Sequence, residues 1–223
     1  MVGWWPSWFS GVVCHDERVT RASLTRAARG ALGTGGLAII ACDVALTIRA
    51  TGGLDVGDYL GQFTILSVLA ASILMLLGAS MGRELRGAVH LRAMALTGLL
   101  VAAVLHATLL GGAAGPSGEL VNTLLHVVFP ALALVEWVTV RSRTRVTLLT
   151  PLIGLVFPVV FLAATLARGA IVDRYPYDFV DPGAQGGYAG LVGSLAIVLV
   201  AFLTVGAFVA VIGAIRDRML APR

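Results

Sequence analysis

The stretch GYAGLVGSLAIVLVAFLTVGAFVAVIGAI, residues 187–215, decides the fold class. It carries no Asp, Glu, Lys or Arg, and it exceeds the ~20 apolar residues that cross a bilayer as a helix. It is long enough to tilt, or to project beyond the bilayer. Five further apolar stretches qualify, at 30–50, 59–80, 93–112, 120–140 and 146–167. Clusters of Arg, Asp, Gly and Pro separate them. Pro151 and Pro158 fall in the fifth stretch, where a membrane helix tolerates them and a kink is expected. The predicted architecture is therefore all-α and polytopic, with six transmembrane helices. An N-terminal cytoplasmic or interfacial segment covers 1–29, the six-helix domain 30–215, and a cytoplasmic tail 216–223. No internal repeat or inverted pair of broken helices is evident.

Composition agrees. Hydrophobic residues make up 58% of the 223, and only 13% are charged, about half the ~25% of a soluble domain. Mean hydropathy is +0.92. All 16 basic residues are arginine. The absence of lysine excludes a retinal Schiff base, a pyridoxal-phosphate lysine and a Walker-type phosphate loop. Cys14 and Cys42 offer neither a disulfide framework nor a zinc cage. Arginine-only usage with abundant Ala, Gly and Val fits a GC-rich bacterial genome.

A pI near 9.7 would point to nucleic acid in a soluble protein. Here thirteen of the sixteen arginines fall in the N-terminal segment, the second and fourth connections and the tail. The remaining three are Arg49, Arg168 and Arg174. By the positive-inside rule both termini are cytoplasmic. The basic charge then reads as topology, and no nucleic-acid partner is expected. Trp4, Trp5, Trp8 and Phe9 form a segment too short to span, expected to act as an interfacial anchor. No positively charged start precedes it, which argues against a cleaved signal peptide.

Polar side chains inside spans are costly in lipid and need a partner or a purpose. Counting depth at ~1.5 Å per residue, Asp43, Thr64, His106, Asn122 and His126 all fall in the outer third of the membrane, with Arg168 closing the outer end of the fifth span. Asn122 and His126 are four apart and share a helix face, as do Thr64 and Ser67 at a spacing of three. A hydroxyl becomes a useful nucleophile when a neighbouring base takes its proton. Histidine suits that role because its ordinary pKa lies near neutrality. Thr64 with His126 could thus perform acyl transfer, with Asn122 or backbone steadying the ring or an oxyanion and Asp43 as orienter.

Plainer readings stand beside these. Thr64 could bond a carbonyl three or four residues back. His106 could be a packing or interhelical hydrogen-bonding residue. Asp43 could pair with Arg49 by snorkelling, and Glu136 with the arginines of 141–145. A metal held by His106, His126 and Asp43 is conceivable, but no ligand-spacing motif supports it, and none is assigned. Gly115-Pro116-Ser117-Gly118 matches the G-x-S-G of rhomboid proteases. Those enzymes need a histidine on the last span, and here the final histidine is His126, on the fourth.

Three stretches carry a resemblance. They are Tyr59-Leu60-Gly61-Gln62-Phe63-Thr64-Ile65-Leu66-Ser67, then Asn122-Thr123-Leu124-Leu125-His126-Val127-Val128-Phe129-Pro130, and finally Arg168-Gly169 with Tyr175-Pro176-Tyr177-Asp178-Phe179-Val180-Asp181. In order and spacing they resemble the six-pass androgen-induced-protein family, especially its bacterial Pr6Pr membrane-protein branch. The resemblance implies a threonine hydrolase of hydroxy fatty acid esters, with catalytic residues at the positions of Thr64 and His126.

The expected function is therefore hydrolysis of a lipid-like ester, without a cofactor, by a multi-pass protein of the cytoplasmic membrane. The expected partner is a membrane lipid or fatty-acid ester. The loop from Arg168 to Asp181 is expected to cap the pocket. Arg168 or Arg174 is expected to hold a substrate carboxylate, beside Tyr175 and Tyr177. The alternatives are a non-catalytic binder or carrier of a lipid or small amphiphile, and a structural subunit whose polar layer joins helices.

Overall fold

The computed structural model describes residues 7–81, 87–140, 142 and 144–220, with side chains from 22 onward. The N-terminal aromatic residues, expected to act as an interfacial anchor, lie outside the described residues and side chains. Among the described residues every regular element is helical. Six helices are long and apolar enough to cross a membrane: Ala22–Thr51, Phe63–Ser80, Ala88–Thr108, Glu119–Thr139, Thr150–Val172 and Tyr188–Met219.

The first departs from the predicted boundary at residue 30. Helix α1 runs unbroken over Ser7–Thr51, about 68 Å at 1.5 Å per residue and roughly twice the hydrocarbon thickness. The arginines that mark the end of the apolar run do not end the helix. Arg, Ala and Leu are good helix formers, and no proline intervenes. Residues 7–29 thus continue in the same helix as the first span. The next turn, α2 (Val56–Leu60), is capped by Asp55, whose side chain accepts from the Asp58 N–H. Gly61 and Gln62 separate it from α3 (Phe63–Ser80), so the second span starts four residues later than its hydropathy suggests.

Helix α4 (Ala88–Thr108) is the axis of the bundle. Half of its apolar window is buried, against 17% for the first, fifth and sixth spans. Packed against it are α3, the fourth and fifth spans, and α9 (Tyr188–Met219). Val68, Val89, Val101 and Val209 are wholly buried there. Elsewhere Leu148, Ile171 and Leu120 point outward, a wide apolar surface suited to lipid. Helix α1 approaches α3 and the fourth span closely because Gly36 has no side chain. A Cβ there would collide with Ser72 Oγ and the Phe129 ring, the small-residue packing usual between membrane helices.

The fourth span is not one α-helix. It comprises α5 (Glu119–Thr123), a π-helical turn at Leu124–Val128, and α6 (Phe129–Thr139). Within it the Phe129 N–H donates to the Leu124 carbonyl, five residues back. Pro130, which has no N–H and whose ring crowds the preceding turn, follows directly. The fifth span divides into α7 (Thr150–Gly154) and α8 (Val156–Val172). The chain breaks at Leu155, three residues before Pro158. Pro151 sits in the first turn of α7, a position proline tolerates, so it produces no kink.

At the arginine-rich end the spans are tied by buried charge. Glu136 accepts from Arg29 at 2.7 Å and from Arg92 at 2.6 Å, with all three side chains under 10% exposed. Arg216 donates to Asp217 and to the Trp137 carbonyl, and its guanidinium lies 4.4 Å from the Trp137 ring centroid. Glu136 thus reaches across to the first and third spans; Arg141 and Arg143 lie outside the described residues.

Candidate functional site

Helix α3 begins after Gln62, whose side chain makes no cap, so its first N–H groups need outside partners. One is Tyr177, whose phenol oxygen accepts from the Phe63 N–H at 2.9 Å. The phenol also lies beside Thr64, and burial pushes it above its ordinary titration range. It therefore remains a protonated O–H donor at neutral pH.

Thr64 is the second residue of α3. Residues 60 and 61 lie outside that helix, so the carbonyls needed for back-bonding are not stacked beneath its hydroxyl. Instead Thr64 Oγ1 meets His126 Nε2 at 3.2 Å. His126 sits in the π-helical turn, a feature common at functional sites. Its Nδ1 lies 3.1 Å from the Asn122 carbonyl. A carbonyl only accepts, so Nδ1 carries the ring proton and Nε2 of the neutral ring is the acceptor. The Thr64 hydroxyl then donates to His126, the direction general-base activation requires.

His106, near the end of α4, stacks on His126 with centroids 3.7 Å apart and planes 15° from parallel. It is 9% exposed, and its Nε2 has no hydrogen-bond partner. Asp43, 7% exposed, stands with Tyr59. The Tyr59 hydroxyl lies beside its carboxylate and 3.5 Å from the Ile40 carbonyl. No Asp43–Arg49 pair occurs among the described residues. Six positions along a helix place the two about 240° apart around the axis, on different faces.

The other predicted site residues are placed as follows. Asn122 works through its carbonyl, while its amide donates to the Gly112 carbonyl at 3.4 Å. Ser67 is fully buried one turn below Thr64 and packs at Gly98, where a Cβ would come 2.9 Å from its Oγ. It lines neither cavity described below. Arg168 donates to Asp58 at 2.5 Å, and Arg174 to Asp58 at 2.8 Å and Asp55 at 3.3 Å. The Asp58 N–H holds the Asp55 carboxyl below its ordinary range, so Asp55 meets Arg174 as a carboxylate at neutral pH. Tyr175 lies over Gly169, where any Cβ would enter its ring. That contact explains why Arg168-Gly169 and the Tyr175-Pro176-Tyr177 segment belong together.

Two cavities meet at Thr64. One is almost wholly apolar, about 120 Å³, between α3, α4, α8 and α9, with Phe63, Leu105, Phe161 and Phe202 in its wall. The other is a polar chamber of about 490 Å³ containing Asp43, Asp55, Asp58, Asn122 and His126. Thr64, His106 and Tyr177 line both. Sequence reading missed Tyr59 and Asp58 as chamber walls, although both lie within or beside the segment that carries Thr64. It also missed the aromatic cluster of Phe63 with Phe157, Phe161 and Phe202, whose members lie on three separate helices. Among the described residues no group of three or more His, Cys, Asp or Glu could hold a metal ion. Compared with protein families, with curated proteins and with solved structures, the chain matches none.

Proposed function

We propose that the protein hydrolyses lipid-like esters within the membrane, with Thr64 as nucleophile and His126 as base and then acid. One observation carries this reading: the Thr64–His126 hydrogen bond, with the ring proton on Nδ1, lies where an apolar cavity meets a polar chamber. The first can take the acyl carbons nearest the ester and the second the alcohol half, which brings the ester bond to Thr64. On this reading both termini face the cytoplasm, the site opens toward the outer leaflet of the cytoplasmic membrane, and the chain is a distant relative of the androgen-induced-protein family. The resemblance places hydroxy fatty acid esters among the substrate classes to compare.

Thr64 Oγ attacks the ester carbonyl carbon as its proton passes to His126 Nε2. The carbon–oxygen bond to the alcohol then breaks, and His126 returns that proton to the leaving oxygen. Water entering from the chamber repeats the sequence on the acyl-Thr64 ester and releases the acid, with Thr64 reprotonated. Asp43 stabilises the imidazolium that forms in between. The Tyr177 hydroxyl, beside Thr64, is the donor for the oxyanion.

An alkyl fluorophosphonate should label the wild-type protein at Thr64, and Thr64→Ala should abolish the adduct. Labelling that persists in Thr64→Ala ends the threonine mechanism. A folded wild-type protein that retains copurifying lipid but takes no label favours the carrier reading instead. Tyr177→Phe should lower kcat by about 10²-fold, the usual effect of one lost oxyanion donor. An unchanged kcat would remove Tyr177 from that role.

A further inference from the structure

We infer that the alcohol half of the substrate carries no negative charge and is a neutral, hydroxyl-bearing head group of the glycerol type. This rests on the hydrolase reading above and names the substrate class for that site. The polar chamber is lined by three carboxylates, Asp43, Asp55 and Asp58, and by no guanidinium. The two arginines nearest to it are already engaged: Arg168 with Asp58, and Arg174 with Asp58 and Asp55. A carboxylate or phosphate on the head group would have to displace those ion pairs and also approach Asp43. Counting both arginines in full still leaves three carboxylates against two cations. The adjoining crevice under Arg174 adds Asp173 and Asp181. Arg49, on the last turn of α1, does not line the chamber. Of the three, Asp43 is the sheltered one at 7% exposed, so its charge is the least screened from an entering ion.

A neutral polyol meets no such opposition. Its hydroxyls donate to carboxylate oxygens, which only accept. The same chamber offers the Gln62 and Asn122 amides, and His106, which faces both cavities, has an Nε2 without a protein partner. The wall that repels an anionic head therefore suits a hydroxylated one. It also departs from the carboxylate-binding role that the sequence suggests for Arg168 and Arg174.

The test uses the full chain in phosphatidylcholine nanodiscs and two esters sharing one acyl group: 1-palmitoylglycerol, and the palmitate ester of 12-hydroxystearic acid, which bears a free carboxylate. Palmitate release should give a kcat/KM at least tenfold higher for the glycerol ester. Asp55→Asn, which removes one chamber carboxylate and one partner of Arg174, should narrow that ratio. Equal or faster release from the anionic ester overturns the head-group assignment alone. So does a protein that Thr64-labels with the fluorophosphonate yet leaves the glycerol ester intact. Release from neither ester together with an unlabelled Thr64 overturns the hydrolase reading, and this inference with it.

Discussion

Replacing His126 with glutamine is expected to reduce ester turnover on the order of 10⁴-fold or more, while the protein still folds. Glutamine can keep a hydrogen bond to Thr64, but it cannot take up and return a proton at neutral pH. Members of a nucleophile–base unit fail together, so one substitution removes most of what the unit contributes. The loss should appear in kcat, because the apolar cavity is built largely from Phe63, Leu105, Phe161 and Phe202 and does not include His126. Steady-state hydrolysis and fluorophosphonate labelling both read it, with thermal unfolding as the control. Turnover within tenfold of wild type in His126→Gln would show that the ring is not the base. The residual stacking partner, His106, lies too near His126 to escape this test. His106→Phe keeps an aromatic ring at that position and should leave the Thr64–His126 bond in place.

Glu136→Leu addresses the opposite end of the bundle. It removes the carboxylate that Arg29 and Arg92 share, while both guanidiniums remain in a buried site. Breaking one side of a buried ion pair costs about 3–5 kcal/mol, which in a chain of this size lowers Tm by roughly 10 °C. Trp137 lies within the same cluster, so its fluorescence reports the transition. At temperatures where the variant is folded, Thr64 labelling should survive, since the two clusters occupy opposite ends of the spans. An unchanged Tm would mean that water or lipid head groups already solvate these charges.

Much of the fold was legible in the chain itself. Apolar runs long enough to span a bilayer name their own solvent, so six helices and their approximate places follow from hydropathy alone. Their boundaries did not follow, because a helix ends where backbone hydrogen bonding fails rather than where hydropathy falls. Hence α1 continues through its arginines, whereas α3 waits for the break at Gly61. Depth counting could gather Asp43, Thr64, His106 and His126 into one layer, since depth is a property of sequence distance along a helix.

Rotation about each helix axis is not such a property, and the neighbouring spans set it. The π-helical turn before Pro130 determines where the His126 ring points, and the break before Phe63 frees the Thr64 hydroxyl from its own helix. Both Arg168 and Arg174 looked available in the chain because Asp55 and Asp58 lie more than a hundred residues away; folding brings them into pairs. Hydropathy was enough to show six helices long and apolar enough to span a membrane, because apolar runs of that length are costly in water. Only the packed helices decided which of the polar residues touch, because contact requires the rotation and neighbours that other spans supply.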